Sequence, residues 1–371
     1  MGKCGNCNLS AVTISNVIGL CVTCIRKGVH PTRDIHVETR ARFQLEIPRG
    51  DSGLKCDVCG RGCIIEEGER GYCGYRIREK KTLKPSTGSF QHAVGLYYYD
   101  PHPTNCVAFP VCPAITGDGY PNYTLSPRGE HGYYNIAVFY GGCNLDCVYC
   151  QNWEYREMAY KAKPILSVET LVNAVNIKTT CVCYFGGDPG PFATHAILAS
   201  KKMIDKAKST GLSVFRVCWE TNGLWNPILL SEAAKISLET GGIVKIDFKA
   251  WSPEIYKVLC GVEEKHVRLI RENIKLVSNY ISARRKPPLL VISTLLVPGY
   301  IDEYEIDQIT RYIASLSPEI PYVFLAFHPD YILLDLPTTS RRHAEKAVEI
   351  AKNNGLKNVY LGNVFLLRDT Y

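Results

Sequence analysis

Cys143, Cys147 and Cys150 fall within eight residues of one another, in the segment GGCNLDCVYC. Thiolates so close together on a loop can each take one corner of an iron–sulfur cluster, since each sulfur need only reach a neighbouring iron. A [4Fe–4S] cluster takes four cysteines. A three-cysteine loop therefore leaves one iron without a protein ligand and open to a small molecule. The alternatives are a zinc knuckle, or a ferredoxin site completed by a distant cysteine. Zinc prefers paired CxxC hooks in a closed tetrahedral shell, and the x3/x2 spacing behind Gly141-Gly142 fits that poorly.

Two further thiolate sets precede this loop. Cys4, Cys7, Cys21 and Cys24 have the two-hook spacing of a structural zinc ribbon, with iron in a rubredoxin-like site as the other option. Cys56, Cys59, Cys63 and Cys73 form a second four-thiolate set among Gly60, Gly62, Gly68, Gly71 and Gly74. Those glycines let the backbone turn tightly and donate N–H groups to sulfur. Zinc and an auxiliary [4Fe–4S] cluster suit this set equally. Cys106 and Cys112 read as loop thiols able to complete or replace a ligand. Cys181, Cys183, Cys218 and Cys260 read as small packed hydrophobes.

The chain around these sites has 371 residues, 46% hydrophobic and 21% charged, which excludes disorder and leaves length for two or three folding units. Its net charge of +7 permits nucleic-acid or acidic-lipid contact without demanding it. The longest strong apolar run, Leu289–Val297, suits a buried strand and is far short of the ~20 residues of a bilayer-spanning helix. Cysteines begin at Cys4, so no export signal is expected. The odd total of 17 cysteines points to metal thiolates in a reducing cytoplasm rather than a disulfide framework.

Four regions are expected to position the chemistry: a zinc-ribbon-like module at 1–28, a linker at 29–55 with a single strand at Arg42–Ile47, a Cys-rich and then Tyr/Gly/Pro-rich extension at 56–134, and a catalytic unit with a C-terminal cap at 135–371. The Tyr-rich part, 97–134, reads either as an irregular packed cover or as a lid. In the last region strands are expected at Ile136–Tyr140, Cys181–Phe185, Val214–Trp219, Ile243–Phe248, Leu289–Leu296 and Tyr322–Phe327. Between and after them lie helix-period segments, with Ser167 and Ser252-Pro253 as start signals. Six strand–helix repeats imply a parallel α/β sheet, as a partial (β/α)6 TIM-like barrel or, alternatively, an open doubly wound sheet. Either way, ligand chemistry belongs at the C-terminal strand ends.

The three-cysteine loop, with Tyr149 before its third cysteine, resembles the signature of the radical S-adenosylmethionine (radical SAM) superfamily. YFGGDP, with Gly186, Gly187 and Asp188, resembles that family's GGE motif, which holds the methionine amino group; Asp188 is one methylene shorter than the usual glutamate. ETNG (Glu220, Thr221, Asn222) and KIDFK (Asp247) resemble segments of the pyruvate formate-lyase activating enzyme branch. There, matching residues surround the SAM carboxylate, and some members hold a monovalent cation. From about Cys56 to Asn363 the chain is similar to the AmmeMemoRadiSam system radical SAM enzymes, through CDVCGRGCIIEEGERGYCGYR, GCNLDCVYCQNWEYRE, FHPDYILLDLPTTS and GLKNVYLGNV. It departs from them in the added Cys106 and Cys112 and in ending at Tyr371.

The resemblance implies reductive SAM cleavage, a 5′-deoxyadenosyl radical, and hydrogen abstraction from a protein or small-molecule substrate. It also implies a reductant such as ferredoxin or flavodoxin. His328 and Tyr331, at the end of the last expected strand, are candidate substrate-side or SAM-contact residues. Other readings are a metal-bearing adaptor or electron-transfer protein, and an RNA-modifying enzyme docking through the ribbon, with Arg26, Lys27 and Arg33 nearby.

Overall fold

The computed structural model describes every residue except Arg49, Asp51 and Asn105, so those positions of the expected linker and extension lie outside the described residues. Seven parallel strands form the centre: β1 (Tyr134–Tyr140), β2 (Thr179–Phe185), β3 (Arg216–Thr221), β4 (Val244–Asp247), β5 (Leu290–Leu296), β6 (Tyr322–Ala326) and β7 (Val359–Gly362). Each pairs with its successor. With no reversal of order there is no switch point, so the sheet winds one way, as in a barrel, and is not doubly wound. It stays open. Beyond β1 it continues through antiparallel His92–Pro101 to Ile165–Ser167.

Six of these strands are the expected ones with shifted ends. The seventh, β7, is a correction to the count of six. Its four residues are all half-buried at the sheet edge, so it lacks the apolar run that marks a central strand.

Side chains alternate strictly across this sheet. Val217, Trp219, Val244, Ile246, Ile292, Tyr322 and Phe324 enter the main core against the helices. Cys218, Glu220, Lys245, Asp247, Leu295, Val323 and Leu325 face the barrel interior instead. The helix Val168–Ala174 starts as expected, with Ser167 accepting from the Thr170 amide. Ser252 behaves differently. Its hydroxyl donates to Glu305 and caps nothing, so the helix Pro253–Cys260 is started by the proline geometry alone.

Residues expected as a linker contain the helix Ile35–Ala41, capped by Asp34, and no strand lies at Arg42–Ile47. The capped turn took precedence over a short alternating pattern. The Tyr-rich segment after its opening strand is irregular and tightly packed, in line with the first of its two expected readings. Its Glu130 is fully buried and forks onto Arg216 at the start of β3, with Oε1–Nη1 and Oε2–Nη2 distances of 2.7 and 2.6 Å. Ala108 packs with Ile243, Val291 and Val323 inside the barrel. The segment is therefore a plug entering from the N-terminal strand ends. Among the described residues, no helix is long and apolar enough to cross a membrane.

Candidate active site

The strand ends and the plug tip enclose a cavity of about 810 Å³, within the usual range for a small-molecule site. Cys143, Cys147, Tyr149 and Cys150 line it from the loop after β1; Gly186, Gly187 and Asp188 from the turn after β2; Glu220, Thr221 and Asn222 from β3; Asp247 and Lys249 from β4. Chemistry expected at the strand ends is therefore gathered in one place.

Backbone geometry sets this assembly. Gly187 has φ +49°, and a Cβ there would lie 2.2 Å from the Gly142 carbonyl oxygen and 2.5 Å from that of Tyr140. Only glycine lets the β2 turn meet the cysteine loop so closely. The Asp188 amide then donates to the Gly142 carbonyl at 2.9 Å. Asn222 ties in the third turn: its Nδ2 donates to Asn144 Oδ1 at 2.8 Å and lies 3.7 Å from Cys143 Sγ.

Asp188 is buried and accepts from the amides of Gly190 and Asn222, each at 2.7 Å, and from the Thr221 hydroxyl at 2.8 Å. Burial pushes its carboxyl up to about 6 against the pull of those donors. The residue thus braces the β2 and β3 turns at the cavity wall.

On β4, Lys245 Nζ sits 3.2 Å from Glu220 and 2.9 Å from Asp247, and Lys249 Nζ 3.4 Å from Asp247. Burial works against the Asp247 charge, but Lys245, Lys249 and the Ser293 hydroxyl outweigh it and hold the carboxyl below the usual range. The Lys245 ammonium bridges these two acids, Glu220 and Asp247. Lys245 and Lys249 were missed in the sequence. The signal was present in KIDFK, since alternation puts Lys245, Asp247 and Lys249 on one strand face.

The donor set fits an iron–sulfur cluster with one open corner. All three loop thiols line the cavity, and two other thiols lie nearby. Cys106 lines the cavity but donates to Glu220 at 3.1 Å, on the plug side. Cys260 is fully buried behind the loop, its Sγ 3.5 Å from Cys147 Sγ and 3.6 Å from the Tyr149 hydroxyl. It packs in the hydrophobic core as expected and also places its thiol against a loop cysteine. Burial pushes the Cys150 thiol up to about 11, so cluster binding must displace protons.

His328 and Tyr331 do not line the cavity. His328 is half-exposed and 3.1 Å from Asp330. Tyr331 stacks on Trp153 at 6.2 Å and lies under the Arg156 guanidinium, bracing the back of the cysteine loop. Of the two, Tyr331 supports the cysteine loop, whereas His328 contacts Asp330 in its own segment.

At the N-terminus the four sulfurs of Cys4, Cys7, Cys21 and Cys24 lie within 4.8 Å of one another. The Cys7–Cys21 separation is 3.8 Å, which equals the edge of a sulfur tetrahedron drawn with metal–sulfur bonds of about 2.3 Å. This group can bind a metal. Its basic neighbours are engaged: Arg26 pairs with Asp302 and Glu305, and Arg33 with Glu38.

Comparison with known proteins adds the family. The chain is 27% identical over 331 residues to the uncharacterized protein MJ0808 of Methanocaldococcus jannaschii, covering 85% of this chain and 82% of that one. A second protein of that organism, the uncharacterized MJ0674, is 25% identical over 60% of this chain and 64% of its own. A domain of pyruvate-formate lyase-activating enzyme from Bacteroides vulgatus superposes with a TM-score of 0.37 at 22% identity, over 49% of this chain and 98% of that one. TYW1 with a lysine-pyruvate adduct gives 0.39 at 12%, over 60% and 74%. The model of the Radical SAM superfamily matches residues 137–309, from the strand that carries the cysteine loop through β5. This chain carries a Radical SAM superfamily domain.

Proposed function

We propose that the protein cleaves S-adenosylmethionine reductively and uses the resulting radical to abstract hydrogen from a protein or small-molecule substrate. The observation that carries this reading is the single cavity whose walls are the three-cysteine loop and the GGD, ETN and KIDFK strand ends. Cys143, Cys147 and Cys150 would hold a [4Fe–4S] cluster, which would supply the electron for reductive cleavage of the sulfonium C–S bond.

The chain's own residues bind and orient. Lys249, at the cavity wall with its charge only partly matched by Asp247, offers the methionine carboxylate a cation. Asp188 and Glu220 offer oxygens to the amino group. Tyr149 supplies an aromatic wall, and the glycines 186 and 187 let backbone approach closely. The plug closes the barrel from below and keeps water from the reacting groups. At the rim, the exposed Phe109 and Phe365 offer apolar contact to a substrate. The reading calls for a one-electron donor such as ferredoxin or flavodoxin, and for a reducing cytoplasm in which thiolate sites persist.

Anaerobic incubation with SAM and dithionite tests it. The wild-type chain should produce 5′-deoxyadenosine, and Cys147→Ala should reduce that by at least ~100-fold while its near-ultraviolet circular dichroism is kept. Undiminished production by the variant would overturn the reading.

A further inference from the structure

The four cysteines of the extension belong to one small fold, in which the short strands Leu54–Lys55 and Ile64–Ile65 pair and bring Cys56 beside Cys63. The Cys56 amide donates to the Cys63 carbonyl at 2.8 Å, and the Tyr72 amide to Cys63 Sγ at 3.4 Å. The set docks on the Radical SAM domain. Cys59 bridges to Trp225, the Gly60 amide donates to the Leu224 carbonyl, and Arg61 Nη1 donates to the carbonyls of Asn144 and Gly261. A Cβ on Gly142 would come within 2.8 Å of the Cys73 carbonyl oxygen. The backbone beside the fourth cysteine of this set therefore touches the backbone beside Cys143.

Three arginines surround it, none in a contact ion pair with a carboxylate among the described residues, although the buried Asp146 acts on Arg40 at longer range. Arg40 is 1% exposed and Arg76 is 2% exposed, and each has Nε and Nη1 buried without a hydrogen bond. Arg40 and Arg61 sandwich the Tyr72 ring, with guanidinium carbons 3.6 and 3.5 Å from its centre. Carbonyls, a hydroxyl and aromatic rings satisfy part of each guanidinium, but the buried Nε and Nη1 of Arg40 and Arg76 stay unpaired, and an anion nearby would lower the cost of burying these charges. Arg40 and Arg61 are placed to act on Cys63, and Arg76 on Cys56. A negative charge at the thiol set would face all three arginines.

We propose that Cys56, Cys59, Cys63 and Cys73 hold a second iron–sulfur cluster, whose negative charge balances Arg40, Arg61 and Arg76. Four thiolates on a [4Fe–4S]2+ core leave a net charge of about −2, spread over a body large enough to face arginines on several sides. The spacing agrees. Three cysteines in eight residues, followed by a single distant one, have only one CxxC hook, whereas the ribbon has the two hooks that zinc prefers. This assignment stands apart from the SAM reading, since it needs no SAM chemistry.

The test uses the full chain, reconstituted anaerobically with ferrous iron and sulfide, with iron and zinc counted per chain. Two [4Fe–4S] clusters predict about eight irons. Replacing Cys143, Cys147 and Cys150 together by Ala should leave about four, with an electron paramagnetic resonance signal after dithionite reduction. Adding Cys59→Ala to that variant should remove them. If the triple variant does not fold, the wild-type count decides alone: about four irons with two zincs per chain overturns the proposal. Eight irons without SAM cleavage would sink the SAM reading and leave this one standing; SAM cleavage with four irons and two zincs would do the reverse.

Discussion

A Cys147 thiolate bound to iron has no proton to share, so the thiol 3.5 Å behind it must become the donor. Cys260 can serve, because its remaining polar neighbour, the Tyr149 hydroxyl, can donate to it in turn. Hydrogen bonds to cluster sulfurs withdraw electron density and raise the reduction potential. Cys260→Ala should therefore shift the cluster's midpoint to more negative values, while Cys260→Ser, which keeps an O–H donor, should stay near wild type. Redox titration followed by electron paramagnetic resonance measures both. Equal midpoints for Ala and wild type would show that this contact carries no electronic weight, and loss of iron in Cys260→Ala would mean Cys260 is itself a ligand. The sequence could not reveal this role. In apolar surroundings near the end of a helix, a cysteine packed as a small hydrophobe and one aimed at a ligand sulfur look alike.

The cysteine loop is held from outside the barrel as much as from within. Asp146, between two ligand cysteines, is fully buried and accepts from Arg156 Nε and Nη2 at 2.9 and 2.6 Å and from the Thr39 hydroxyl at 2.8 Å, with His36 at 3.1 Å. Thr39 and His36 belong to the helix Ile35–Ala41, so an element read as a linker is part of the loop's frame. Removing one partner of a buried ion pair typically costs 3–5 kcal/mol, because the other charge is left unmatched. Asp146→Ala should lower the unfolding free energy of the cluster-free chain by about that amount and reduce iron retention several-fold. Urea melts and iron counts check the two outcomes; an unchanged melt would remove the frame from the account. Strand and helix periodicity made the barrel elements legible, because each buries a regular apolar face. The frame was hidden because its partners, Asp146 and Thr39, are 107 residues apart and mark no period.

For the molecule as a whole, the plug decides whether the open sheet encloses a site, and Glu130 decides whether the plug stays. Sequence alone left 97–134 as cover or lid, since its tyrosines and prolines have no period, and a buried Glu–Arg fork depends on a fold not yet formed. In the fold, burial works against the Glu130 charge, but Arg216, Thr180 and the Leu125 amide prevail and hold the carboxyl at about 2, below its ordinary 4.5. His102, 3.8 Å away, contributes no charge near neutrality, because burial and Arg216 push it down to about 4. Between pH 4.5 and 2 the unfolded chain binds a proton that the folded chain refuses. Stability from this group is therefore complete above about 4.5 and is lost as pH falls toward 2, amounting to about 3 kcal/mol at about 1.4 kcal/mol per pH unit. Glu130→Gln keeps the size but leaves Arg216 buried and unmatched, so it should cost about 3–5 kcal/mol at pH 7. The gap between variant and wild type should narrow as pH drops from 4.5, and denaturant melts from pH 7 to pH 3 would measure it. A gap that stays constant over that range would mean the plug is held by its apolar contacts with Ile243, Val291 and Val323 rather than by this charge.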